Sequence, residues 1–150
     1  MNLRNQRGTT TVEFAIVGLV FLTLIFTVIE FGRILFSMNV LEEGARRATR
    51  VAAVCAVGDA SITDAAVFVA MPGFSATNVF PEYLDQNGVP LGDPAGADYV
   101  SIRYVRVRIA NVSFPVAIPF VTPTFDAPEF SSTLPRESLG VPSFGVPAAC

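Results

Sequence analysis

The 150-residue chain has no lysine, no histidine and no tryptophan. Without histidine it lacks the usual general base near neutral pH and the commonest metal ligand. All ten basic residues are arginine, and the formal net charge of −3 gives no reason to expect a polyanionic partner such as nucleic acid. Serine-based catalysis also lacks a partner base and a convincing glycine elbow. The two cysteines, Cys55 and Cys150, are too far apart for a zinc knuckle or a CxxC redox pair. They remain as a long-range disulfide, which would imply an oxidising compartment, or as two free thiols.

Charge is missing locally as well. From Phe14 to Ile29 no residue is ionisable, and Phe, Leu, Ile and Val fill most positions. Sixteen helical residues measure about 24 Å, so interfacial turns at Thr9–Val12 and Phe31–Gly32 are needed to cross a hydrocarbon core of roughly 30 Å. A core helix of a soluble protein is seldom apolar on every face, and the sequence therefore predicts one membrane span. "VIEFGRILF" offers no small-x-small site after it, so removal as an ordinary secretory signal is not expected. Arg4 and Arg7 on one side and Arg33, Arg46 and Arg47 on the other leave the orientation undecided by charge.

Helical periodicity continues past the span. Ile34, Met38, Leu41, Ala45, Ala48, Ala52 and Cys55 recur at steps of four and three, with bulky residues giving way to alanine. Glu42–Arg46 and Glu43–Arg47 are i,i+4 pairs in the favourable order, and Glu30–Arg33 is an i,i+3 pair at the end of the span. One helix is predicted over Thr9–Val57, with Gly32 and Gly44 as candidate bends and Gly58 at its end. A second helix is expected over Ser61–Met71, with Ser61 and Asp64 in capping-box spacing.

All eleven prolines lie beyond residue 58, so much of the tail must be loop. Phe74–Asp98 reads as turn-rich, with Asn87-Gly88 a favoured hairpin turn. Tyr99–Ile109 is the clearest strand; its apolar parity switches near Tyr104, which suggests a bulge or cover on both faces. Phe114–Phe120 alternates as an edge strand with Pro115 and Pro119 outward, and Phe130–Leu134 is a third candidate. Arg103, Arg106 and Arg108 form a basic streak with Tyr99 and Tyr104 nearby, superficially like a nucleic-acid face, but the acidic remainder of the chain argues against that reading. The predicted class is α+β: a long N-terminal transmembrane helix continues into an amphipathic helix packed on a small antiparallel sheet. No metal site or cofactor is predicted.

One acid breaks the apolar pattern: Glu13, five residues after Gly8, at the mouth of the span. Cleavage after Gly8 would give Thr9 a free ammonium one helical turn from Glu13. In a stack of identical helices, that ammonium and a neighbour's carboxylate would neutralise one another only in the correct axial register.

This arrangement of basic leader "MNLRNQRG", Gly8, Glu13 and apolar helix resembles the processing signature of type IV prepilins. More closely, "RGTTTVEFAIVGLVFLTLIFTVIEFGRILF" followed by "NVLEEGARRATRVAAV" resembles TadE-like proteins, minor pilins or pseudopilins of bacterial tight-adherence type IV pili, and "TLPRESLG" is similar to that family's ending. The resemblance implies a type IV pilin-like fold in four parts. These are a cytoplasmic leader (1–8), a transmembrane helix (9–32), an amphipathic extension (33–57) and an extracytoplasmic α+β domain (58–150). It also implies a prepilin peptidase cutting between Gly8 and Thr9, Glu13 as the assembly acid, and a periplasmic tail on an inner-membrane anchor. Other pilin subunits and the pilus secretion machinery would be the partners, with roles in pilus assembly and cell adhesion. Thr9 stands where many type IV pilins have Phe. The competing expectation is an uncleaved single-pass anchor carrying an extracytoplasmic binding module.

Overall fold

The computed structural model describes residues 6–117, 123–141 and 150. One helix, α1, runs from Gln6 to Val54, 49 residues or about 74 Å. It is already helical across Gly8–Thr9, earlier than predicted, and stops three residues sooner, before Gly58. It is the one helix among the described residues that is long and apolar enough to cross a membrane, with a mean hydropathy of 2.6 over its most apolar window and none of that window buried.

Along the stripe, burial is complete from Leu41 onward. Leu41, Ala45, Ala48, Ala52 and Cys55 are all at most 1% exposed. Ile34 and Met38 are half-buried, while Ser37, Val40, Gly44, Thr49 and Ala53 widen the buried face. Neither candidate glycine breaks the helix. Gly44 instead admits α2 at close range, since a Cβ there would lie 2.7 Å from the carbonyl oxygen of Ala66.

The short second helix, α2 (Ala60–Ala66), is about two thirds of the predicted length. Its N-cap is Asp59, whose carboxylate accepts from the Ser61 N–H at 2.9 Å, so the expected capping box at Ser61 and Asp64 is replaced by a simple cap. The chain then turns at Pro72-Gly73, as the sequence suggests. Gly73 has φ +79°, and a Cβ on it would strike the Ser113 carbonyl.

A three-stranded antiparallel sheet covers the stripe in the order β1 (Val79–Leu84), β2 (Tyr104–Ile109), β5 (Phe130–Pro135). β1 corrects the reading of Phe74–Asp98 as turns alone; its Pro81 is tolerated because the strand lies at the sheet edge. The Asn87-Gly88 turn does follow it. Asp85 accepts from the N–H of Asn87 and of Val89, Gly88 has φ +78°, and Leu91 N–H returns to Tyr83 O at 2.8 Å.

β2 is shorter than predicted, because Tyr99–Ser101 is a 3-10 turn. The parity switch falls at the start of the strand: its register with β1 runs without a bulge from Leu84↔Tyr104 to Val79↔Ile109. Val105, Val107 and Ile109 point into the core, each at most 1% exposed. β3 (Ser113–Pro115) pairs with β4 (Thr124–Asp126) as a separate two-stranded ribbon. It forms the start of the predicted edge strand, whose residues 118–120 lie outside the described ones. β4 was not anticipated. Phe114 closes the bottom of the core at 1% exposed.

Candidate functional site

α1 presents two surfaces. From Gly8 to Ile29 no side chain is buried; Phe14, Ile16, Val17, Phe21, Leu24 and Val28 are each more than half exposed. So much bare apolar surface, unbroken around a helix, calls for lipid or other helices as its solvent. Gly8, Thr9 and Glu13 lie on α1, all exposed, and the i,i+4 spacing puts Glu13 one turn above Thr9 on the same face. Among the described residues Glu13 forms no salt bridge within its own chain.

The lower end of the domain is fastened at residues 30–33. Glu30, only 9% exposed, is the first buried residue of α1. Its carboxylate accepts from Arg33 Nη2 at 2.8 Å and Nε at 3.0 Å. Arg33 also donates to the Pro115 carbonyl. The expected Glu30–Arg33 pair is therefore also a clasp that holds the β3–β4 ribbon against the helix. Nothing in the sequence marks Pro115 as its partner, because backbone groups carry no residue-type signal.

The upper end is closed by the C-terminal segment. Cys55 and Cys150 form a disulfide, 95 residues apart in sequence. Beside it the last carbonyls of α1 are capped by the segment "RESLG": Ala53 O accepts from Glu137 N–H at 3.0 Å, and Val54 O accepts from Gly140 N–H at 2.6 Å and Ser138 Oγ at 3.0 Å. Carbonyls at a helix C-terminus otherwise lack partners, and here a distant loop supplies them. Gly140 has φ +77° and passes so close that a Cβ would lie 2.9 Å from Ala56 Cα. Arg136 and Tyr99 brace this loop: Arg136 Nη1 donates to Tyr99 O at 3.1 Å, and Tyr99 OH donates to Leu139 O at 3.3 Å.

On the outer face of the sheet, Arg106 and Arg108 of the basic streak both turn to Glu82 on β1, with N···O distances of 2.6 and 2.5 Å, and Arg108 also reaches Glu129 at 3.2 Å. Along α1, Glu42–Arg46 and Glu43–Arg47 pair as expected, and Arg47 also lies 4.0 Å over the ring of Phe68. Partial burial would raise the Glu82 carboxyl, but the two guanidiniums outweigh it and hold it below the usual carboxylate range. The pair thus stabilises the fold fully above the unfolded-state value, 4.5, and its contribution fades as pH falls through the lower folded-state value. Glu82→Gln should cost about 1 kcal/mol at pH 7, allowing for solvent screening of the guanidiniums. It should also flatten the acid limb of a stability–pH curve; an unchanged limb in urea titrations from pH 7 to 3 would count against the pairing.

A family model described as TadE-like protein matches residues 8–50. No curated protein and no solved structure matches the chain. The matched stretch contains Gly8, Glu13, the whole bare surface, the Glu30–Arg33 pair and the core-facing stripe as far as Ala48.

Proposed function

We propose, from the TadE-like match over residues 8–50, that this chain is a minor pilin or pseudopilin of a tight-adherence type IV pilus. It is a structural subunit, processed by a prepilin peptidase and acting in pilus assembly and surface adhesion. The observation that carries this reading is the placement of Gly8 and Glu13 at the head of a helix exposed along its entire apolar length.

In this mechanism residues 1–8 lie in the cytoplasm and the domain in the periplasm. The disulfide favours that side, since disulfides persist in oxidising compartments. The Gly8–Thr9 bond is helical at rest. Glycine weakens a helix by about 1 kcal/mol relative to alanine, which eases local unwinding for a peptidase. Cleavage gives Thr9 an ammonium. A lone ionised side chain deep in the bilayer costs about 2.5–3.5 kcal/mol on insertion scales. Meeting the ammonium of an adjacent subunit relieves Glu13 of that cost, and only one axial offset between helices permits the meeting. Glu13 therefore selects register while the surrounding apolar side chains provide the contact area.

Intact-mass and N-terminal analysis of the full chain co-expressed with a prepilin peptidase tests the processing step. The expected product begins at Thr9, and an inactive peptidase should leave the precursor. A chain that keeps Met1 beside the active peptidase would be an uncleaved anchor, and the pilin reading would fail.

A further inference from the structure

After β2 the chain descends along α1. Ile109 packs at Gly44, where its Cδ1 lies 3.5 Å from the position a Cβ would take, and Pro115 meets Arg33 eleven residues lower on the helix. Eleven helical residues are about 16 Å, within the roughly 20 Å that six residues of chain span when extended, which leaves room for the left-handed backbone of Asn111 at φ 59°. The descent brings Pro115 to the Glu30–Arg33 pair, where its carbonyl accepts from Arg33. That level coincides with another boundary. Thr9–Ile29, the stretch with no buried side chain, measures about 31 Å as a helix, against a hydrocarbon core of roughly 30 Å.

The ribbon thus comes down to the height at which the hydrocarbon ends, and its chemistry suits that height. Pro115, Ala117, Pro123 and Thr124 are exposed and uncharged. The Pro115 carbonyl is satisfied by the clasp, and Val116 N–H bonds to the Pro123 carbonyl at 2.9 Å. At the same level α1 exposes Phe31, at 62%. The charges of Glu30 and Arg33 neutralise one another there, 2.8 Å apart.

We propose that the β3–β4 ribbon, clasped to Glu30 and Arg33, is a membrane-seating surface that rests on the lipid headgroup layer entered by α1. It rests on the anchor role of α1, one part of the reading above, and is independent of cleavage and pilus assembly. The bilayer is the occupant because the surface continues the bare face of α1 and lies one membrane thickness above its start.

Because the chain contains no tryptophan, single substitutions give clean probes. The full chain would be reconstituted in phosphatidylethanolamine–phosphatidylglycerol vesicles with and without phospholipid brominated close to the headgroup. Ala117→Trp and Thr124→Trp report on the ribbon. Leu24→Trp reports on the span, and Val100→Trp, 73% exposed, reports on the end of the sheet remote from the span. Resistance of Cys55 to alkylation under non-reducing conditions confirms that each variant has folded.

Both ribbon probes should be blue-shifted and should lose most of their emission to brominated lipid, while Val100→Trp keeps its own. Ribbon probes that behave like Val100→Trp, with Leu24→Trp still quenched, would overturn the seating and leave the anchor standing. Blue-shifted ribbon probes indifferent to bromine would mean that protein covers the ribbon, which also overturns the proposal. If Leu24→Trp itself escapes quenching, the anchor reading falls and the seating falls with it.

Discussion

Cys150→Ser is expected to destabilise the domain by about 4 kcal/mol. The Cys55–Cys150 bond closes a loop with a sequence separation of 95, and closure of a loop that long removes much of the entropy of the unfolded chain. The bond also anchors the end of the polypeptide beside the "RESLG" segment that caps Ala53 and Val54, so its loss should loosen the cap as well. Since α1 would remain helical in a micelle, helicity is a poor reporter. Tyr83, 4% exposed in the core, is a better one, and no tryptophan masks its fluorescence. Urea unfolding in detergent should show the midpoint falling in the variant, and dithiothreitol should lower the wild-type midpoint to match. A variant within about 1 kcal/mol of wild type would mean that the hydrogen-bonded cap alone holds the chain's end, since that is the scale of one or two net hydrogen bonds.

Glu13→Val is expected to leave membrane insertion and cleavage intact and to reduce incorporation into fibres about a hundredfold, from the ~2.5–3.5 kcal/mol cost of the unpaired acid at 1.4 kcal/mol per decade. Valine removes the penalty that drives the acid towards a partner. It also leaves the neighbour's Thr9 ammonium without a carboxylate, so the assembled state loses on both counts. Glu13→Asp keeps the charge on a shorter arm and should retain partial incorporation. The readout is the ratio of variant to wild-type subunit in sheared fibres at equal membrane abundance. Wild-type incorporation by Glu13→Val would sink the register mechanism while leaving the anchor and the fold untouched.

The helical half of the molecule was readable because its physics is periodic. A charge-free run and a stripe repeating every seven residues say where lipid stops and a core begins, and Leu41, Ala45, Ala48 and Ala52 are buried as that stripe requires. The sheet was harder. Pro81 interrupts the apolar alternation of β1, and an edge strand accepts proline only because its neighbour lies on one side, a fact of topology absent from local sequence. The 3-10 turn at Tyr99–Ser101 looked like strand because Tyr, Val and Ile favour strands wherever they occur. Asp59 took the cap from Ser61 by two residues, a contest between equally good capping side chains. Arg106 and Arg108 of the basic streak pair with Glu82, which lay in a segment read as turn-rich. The Arg33–Pro115 contact, 82 residues apart and made to a backbone carbonyl, had no signal to read.

The absence of a break in α1 between its bare length and its core-packed length has a mechanical consequence. A span and a domain cut from one rod share a single axis with no swivel between them. Each residue of screw displacement imposed on the span turns the sheet by about 100° and lifts it by about 1.5 Å. Whatever grips the lower shaft thereby chooses the compass bearing of the outer face, and with it the side of the domain turned to the surroundings.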